Sequence, residues 1–181
     1  TAHNGTAADR QVTQDPPASP VIRDLGSLRT MKGLSGLLAE VGPLRVPIEV
    51  VGASAEECAQ PQPEGVSTRS PVPYSDIPDL LRTASALLLP LQDNYFGRAL
   101  SSPLKLWDYL ASTTPIIAAD VQSVRDIMRL TDAPLHLYSP EHPDSLHKAV
   151  DAALSAAQRP SSLRTWTDRA QQLAPVLRGE S

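Results

Sequence analysis

The sequence predicts an α/β fold, a Rossmann-like three-layer α/β/α domain around a six-stranded, mostly parallel sheet. From Val21 onward, short β-branched or apolar runs alternate with helical patterns, which is typical of right-handed βαβ crossovers. Residues 48–51 and 87–90 are almost continuously apolar, as are strands that helices cover on both faces. Ligands of such sheets bind outside the carboxyl ends of the strands, where the strand order reverses.

The predicted strands and helices follow one another in order. The strands are residues 21–26, 46–52, 66–72, 86–90, 115–119 and 134–138. The helices are residues 34–41, 54–59, 77–84, 103–112, 123–130 and 145–157, followed by an amphipathic helix at 162–173. Arg23 and Asp24 depart from the pattern, because they place two charges in a strand that should be buried.

Composition bounds the class of protein. With 181 residues, 41% hydrophobic and 20% charged, the chain makes one domain with a real core. Residues 1–19 are polar and proline-bearing, which predicts a linker or the remnant of a preceding domain, and residues 20–181 form the domain itself. A net charge of −4 without a basic stripe argues against nucleic acid as a partner. The single cysteine, Cys58, favours a reducing compartment.

The helix at 103–112 carries the most informative pattern. Ser102 is a good N-cap and Pro103 suits the first helical position. Lys105 in the first turn opposes the helix dipole, and a bound diphosphate would relieve that conflict. Asp108 lies roughly 9 Å along the axis from Ser102, about the reach from a diphosphate to its ribose. The alternative is a solvated face with a weak Lys105–Asp108 pair.

A second candidate anion site is the loop at residues 26–33. Gly26 permits a tight turn after the first strand, and Lys32 can reach an anion above the sheet. The loop has neither the Gly-rich dinucleotide fingerprint nor a Walker pattern. A solvated loop with a lysine near the start of a helix is the alternative.

The sequence gives little support for a metal site or for hydrolase chemistry. His136, His142 and His147 have no accompanying Cys or acid cluster at ligand spacing, so no metal site is expected. The chain also lacks a Gly-x-Ser-x-Gly nucleophile elbow.

Several stretches in order resemble the C-terminal, donor-binding lobe of retaining glycosyltransferases of the two-lobed GT-B fold, which include sucrose synthase and bacterial mannosyltransferases. The similarity covers roughly residues 20–173. Its main motifs are a Gly-x(5)-Lys-Gly loop at 26–33, the stretch Pro73-Tyr74 to Pro90, and Ser-Pro-Leu-Lys-Leu-Trp-Asp-Tyr-Leu-Ala at 102–111 followed by Pro115 to Asp120.

The resemblance implies specific roles. Lys32 would contact the donor diphosphate, with Gly26, Ser27 and Arg29 in the same loop. Asp108 would bind the ribose as the second acid of a Glu-x7-Glu motif. The remaining implied contacts are backbone amides around Ser101 and Ser102 with Lys105 at the diphosphate, Phe96, Gly97 and Arg98 facing the transferred sugar, and Pro73 and Tyr74 near the base. Lys32 and Arg98 are the implied catalytic residues.

Two positions depart from the family pattern. Leu100 stands where the first acid is expected, and Ser27 stands where the loop normally carries Arg. These changes weaken the expected sugar contact and the two-cation phosphate clamp unless Arg29 or Arg98 substitutes.

The expected function is therefore donor binding in a glycosyltransferase, a hexosyltransferase that moves a sugar from a nucleoside diphosphate to an acceptor with no cofactor besides the donor. The alternative is a catalytically degenerate nucleotide-binding or scaffold module. An N-terminal acceptor-binding lobe is the expected partner, and any peripheral membrane contact is expected through it. The expected location is the cytoplasm, with membrane association as the alternative.

Because acceptor contacts in this family come from the other lobe, residues 1–181 alone should bind a nucleotide weakly and transfer no sugar. Product analysis after incubation with nucleotide sugars checks this expectation, and detectable transfer by the purified chain would contradict it.

Overall fold

The computed structural model describes residues 12–15, 17–26, 34–91 and 104–156. Its strands are β1 (Ile22–Leu25), β2 (Ile48–Val51), β3 (Val66–Arg69), β4 (Ala86–Leu89), β5 (Ile116–Ala119) and β6 (His136–Tyr138). Its helices are α1 (Leu34–Val41), α2 (Ala55–Ala59), α3 (Ile77–Arg82), α4 (Leu104–Leu110), α5 (Gln122–Thr131) and α6 (Ser145–Ser155), with a 3₁₀ turn at Tyr74–Asp76 before α3.

The six strands form one sheet in the order β3-β2-β1-β4-β5-β6, and every neighbouring pair is parallel. The predicted Rossmann-like α/β fold is thus confirmed. The chain builds the sheet outward from β1 to β3, then returns to place β4 on the other side of β1. The strand order therefore reverses between β1 and β4.

The most deeply buried part of the core lies around β4 and β5. All four residues of β4 and all four of β5 are fully buried. This explains their unbroken apolar sequence, because a strand covered on both faces has no solvent-facing position for a polar residue. Each fully buried Leu or Ile contributes roughly 1.5–3 kcal/mol relative to an exposed one.

The charges in β1 are compatible with a strand because both find partners. Arg23 donates from Nε to Glu49 on β2 at 2.6 Å and from Nη1 to the Leu80 carbonyl at 2.8 Å and the Thr83 hydroxyl at 2.6 Å. Neighbouring residues of a strand point to opposite faces, so the side chain of Asp24 leaves β1 on the other face.

Most predicted elements extend one to three residues beyond the observed ones, and two of these differences have a clear cause. The predicted strand 66–72 ends at Arg69, before Pro71 and Pro73, which cannot donate to a ladder. The predicted helix 77–84 ends at Arg82, where the Thr83 amide and hydroxyl both donate to the Asp79 carbonyl. The predicted helix at 162–173 lies outside the described residues.

Residues 12–15 carry contacts that the sequence analysis, which placed no structure there, did not foresee. Val12 is buried and forms a parallel bridge to Ser112, with its amide donating to the Ala111 carbonyl at 3.0 Å. The Gln14 side chain donates to the Ala84 carbonyl at 2.8 Å. These partners lie 70 to 100 residues away, so no local sequence period reveals them.

Gly52, just after β2, has a backbone that only glycine adopts easily. Its φ is +117°, and an added Cβ would meet the backbone of Gly26 at 3.3 Å. We expect Gly52→Ala to lower the free energy of unfolding by about 1–3 kcal/mol in urea titrations, because of both strain and contact.

Gly36 provides the matched control for this substitution. It is exposed within α1 and an added Cβ would meet nothing within 4 Å, so Gly36→Ala should be neutral or stabilising by up to about 1 kcal/mol. Equal changes at the two positions would contradict the interpretation of Gly52.

Candidate functional site

The crevice between β1 and β4 is the candidate site. The ladder between these strands holds only two residue pairs, Ile22 with Ala86 and Arg23 with Leu87, whereas β1 pairs with β2 along its whole length. Beyond Arg23 the two strands no longer pair. Since this is also the point where the strand order reverses, it is the position at which open parallel sheets bind ligands.

Tyr109 of α4 bridges the two strands where the ladder stops. Its hydroxyl accepts a hydrogen bond from the Leu25 amide of β1 at 2.8 Å and donates to the Leu88 carbonyl of β4 at 3.3 Å. The phenol thereby satisfies backbone groups that the separating strands would otherwise leave buried without a partner.

The surroundings of Tyr109 keep its hydroxyl protonated. Burial raises the pKa of Tyr109 well above its ordinary value, and the nearby Asp24 and Asp108 charges raise it further, against the lowering effect of the Leu25 amide. A protonated hydroxyl can both accept and donate, which the bridge requires.

Beside this bridge lies an ion pair between Asp24 of β1 and Lys105 of α4. The Asp24 side chain is 1% exposed and the Lys105 side chain is 18% exposed. A carboxylate this enclosed is stable as an anion only with an opposite charge close by. The pair therefore holds a lysine ammonium group at the carboxyl edge of the sheet, next to the crevice.

Five predicted site residues fall within the described part of the chain. Gly26 follows β1 directly and donates from its amide to the Val51 carbonyl at 2.7 Å. Lys105 and Asp108 lie one turn apart on α4. Pro73 and Tyr74 begin the 3₁₀ turn that comes after β3, and Tyr74 is 62% exposed. The structure thus places Gly26, Lys105 and Asp108 near the crevice between β1 and β4, while Pro73 and Tyr74 follow β3, which is an outer strand of the sheet.

The other predicted contacts lie outside the described residues, and their roles stay predictions. They are Ser27, Arg29, Lys32, Phe96, Gly97, Arg98, Ser101 and Ser102.

The partner of Lys105 is where the structure differs most from the helix pattern. From the sequence, Lys105 is a cation that opposes the helix dipole near Asp108, and a bound diphosphate is expected to relieve that conflict. In the structure, Asp24 is the ion-pair partner of Lys105. Asp24 and Tyr109 are the two site residues that the sequence analysis did not identify. The signal for Asp24 was its charge inside a predicted strand.

Two clefts lie away from the crevice. One of about 390 Å³ is lined by residues that follow β5 and β6, including Asp120, Arg125 and Ser139. There the Arg125 guanidinium contacts Asp120 at 2.5 and 2.6 Å and lowers the pKa of that carboxyl. The second, about 470 Å³, is lined by residues such as Val46 and Ser85 that precede strands, at the opposite edge from Asp24.

The described residues contain neither a cluster of metal ligands nor a membrane-spanning helix. Among them, no three His, Cys, Asp or Glu side chains are grouped to hold a metal ion. No helix among the described residues is long and apolar enough to cross a bilayer.

The parallel sheet with a reversal of strand order defines the class, an open α/β domain of the Rossmann-like kind, whose members bind ligands at such a topological switch point. The family follows from comparison: the family model described as glycosyl transferases group 1 matches residues 19–156. The chain belongs to this family. None of the curated protein sequences matches it.

Solved structures show the same fold at low identity. HepE from Anabaena, crystallised with UDP and glucose, superposes with a TM-score of 0.68 at 13% identity, over 98% of this chain and 56% of its own. Sucrose-phosphate synthase from Thermosynechococcus elongatus gives 0.68 at 15% identity, over 97% of this chain and 51% of its own. The C-terminal domain of LpcC from Francisella tularensis gives 0.53 at 17% identity, over 84% and 85%. This chain spans about half the length of the first two proteins.

Tyr109→Phe tests the bridge between the strands. Losing the hydroxyl leaves the Leu25 amide without this acceptor, so we expect the free energy of unfolding to fall by about 1–3 kcal/mol in chemical denaturation. Tyr74→Phe removes a hydroxyl from an exposed ring and should change stability by less than about 0.5 kcal/mol. Equal stability of wild type and Tyr109→Phe would show that the bridge contributes nothing.

Proposed function

We propose that this chain is the donor-binding lobe of a retaining glycosyltransferase, which moves a sugar from a nucleoside diphosphate to an acceptor. The observation that carries the proposal is the position of Lys105. This chain belongs to the glycosyl transferases group 1 family. In it, a buried carboxylate holds a lysine ammonium group beside the crevice where the strand order reverses.

The charges at this edge suit a nucleoside diphosphate. Lys105 offers N–H donors and a positive charge to the phosphate groups. Asp108, one turn further along α4 and only partly buried, carries a carboxylate, a group that accepts hydrogen bonds from ribose hydroxyls. Tyr74 is an exposed aromatic ring on which a base can stack.

In the proposed reaction, positive charge stabilises the diphosphate as it leaves the sugar. This is an electrostatic role that lysine and arginine side chains fill without a metal ion. Lys105 is the described residue placed for it, and Lys32 and Arg98 remain predicted contributors. The donor is a substrate, and the proposal includes no other cofactor.

The acceptor is proposed to bind between this lobe and an N-terminal lobe. Support comes from the two neighbours that this chain matches over 51% and 56% of their length. HepE was crystallised with UDP and glucose, which favours a nucleotide-sugar donor here. Transfer of a hexose and retention at the anomeric carbon rest on the family resemblance.

A scaffold module that has lost catalysis is the second candidate. It is favoured by Leu100 and Ser27, which stand where an acid and an arginine are expected. Calorimetry of the chain with UDP, GDP and ADP at millimolar concentration separates the two, since binding of none of them favours the scaffold.

If one nucleotide binds, Lys32→Ala and Asp108→Ala should each weaken its binding by about 1–3 kcal/mol, because each removes a charge-assisted partner. Lys148→Ala, which removes an exposed lysine of α6, is the control and should leave the affinity unchanged. Unchanged affinity in both test variants would refute the site assignment.

A further inference from the structure

Asp24 is a buried charged side chain that contacts none of the reacting groups in the proposed mechanism. It is fully buried near the carboxyl end of β1. One carboxylate oxygen contacts Lys105, 81 residues further along the chain, and the other has no hydrogen-bond partner among the described residues. An apolar residue would fill the strand position without any charge to neutralise. A role in binding explains why a carboxylate is there.

We propose that Asp24 is a positioning residue, which holds the Lys105 ammonium group at the crevice so that it can bind the phosphate groups of a nucleoside diphosphate. This inference rests on the proposed function. A lysine side chain has many rotamers and loses entropy when it is fixed. The ion pair fixes Lys105 before the ligand arrives, so the ligand need not offset that loss.

The pair leaves the lysine able to bind a second anion. An ammonium group has three N–H donors, and the contact with Asp24 occupies one of them. A phosphate oxygen can therefore bind Lys105 without displacing Asp24.

Unequal exposure of the two partners argues that Asp24 assists anion binding and does not repel the anion. The Asp24 side chain is 1% exposed, whereas Lys105 keeps 18%. A ligand that enters from solvent therefore meets the Lys105 side chain before the enclosed carboxylate of Asp24. The opposite view, that Asp24 competes with phosphate for Lys105, predicts tighter nucleotide binding when Asp24 is neutralised.

A double-mutant cycle separates these outcomes. UDP binding is measured by calorimetry for the wild-type chain, Asp24→Asn, Lys105→Met and the double variant. We expect Asp24→Asn to weaken UDP binding about tenfold, within the range of coupling in one ion-pair network. In the Lys105→Met background the same change should have no further effect, because Asp24 acts through the lysine.

Glu49→Gln is the matched control. Glu49 of β2 pairs with Arg23, the neighbour of Asp24 on β1, in a partly buried ion pair, 23% and 13% exposed, and that pair is not at the crevice. Its loss should leave UDP affinity within about twofold of wild type, as expected for a site that does not share partners with the ligand. A comparable loss of affinity in Glu49→Gln would overturn the proposal, because Asp24 would then matter only for strand stability.

Each of the other outcomes of the double-mutant cycle also decides for or against the proposal. Unchanged or tighter UDP binding in Asp24→Asn overturns the positioning role, as does equal weakening with and without Lys105. If wild type and Glu49→Gln are folded yet bind none of UDP, GDP and ADP, the proposed function fails and this inference fails with it. If wild type binds and only the cycle fails, the proposed function stands.

A measurement on the wild-type chain covers the case in which Asp24→Asn does not fold. The chain has three lysines, Lys32, Lys105 and Lys148, so nitrogen-15 NMR of lysine side chains gives few signals, which Lys→Arg variants assign. The Lys105 signal should be protected from solvent exchange without ligand and should shift at saturating UDP, while the Lys148 signal stays in place. A Lys105 signal that is unprotected, or that UDP does not move, overturns the proposal.

Discussion

The reversal of strand order between β1 and β4 is the constraint on which the rest of this structure depends. Two parallel strands that separate leave backbone groups that neither strand can satisfy. Here α4 supplies the missing partners: the Tyr109 hydroxyl joins the Leu25 amide to the Leu88 carbonyl. The hydrogen bonds of Tyr109 therefore satisfy the separating strands and fix α4 to the sheet. This attachment lies at the place where a ligand is expected.

The same helix brings the charge. Lys105 and Tyr109 are four residues apart on α4, and neighbouring turns of a helix share a face, so one orientation of α4 serves both contacts. Burial and, after it, the charge of Asp24 raise the pKa of Tyr109, and the same Asp24 carboxylate pairs with Lys105. Structural and proposed binding roles meet in this group of side chains, which is why a change at Asp24 has to be separated from a loss of stability by a control in the ion pair of the neighbouring residue, Arg23.

The similarity to solved structures reflects different requirements of the sheet and of the binding site. Neighbours at 13–15% identity superpose with TM-scores of 0.68, because a sheet skeleton requires only apolar residues of suitable size at the right spacing. β4 and β5 meet that requirement with eight fully buried apolar residues. A binding site needs particular groups, and Leu100 and Ser27 show that this chain differs from the family pattern at two of them.

Within the described residues, the sequence by itself determined the six strands, the six helices and the parallel arrangement of the strands, because apolar runs and helical periods are local signals. It also marked Lys105 as a cation in an unfavourable place and Asp24 as a charge in a strand. Only the tertiary structure joined the two, since their contact spans 81 residues and no spacing rule connects a strand residue to a distant helix. The Tyr109 bridge and the contact of Val12 with the end of α4 also depend on the tertiary structure. Both satisfy backbone groups that come together only when the chain folds.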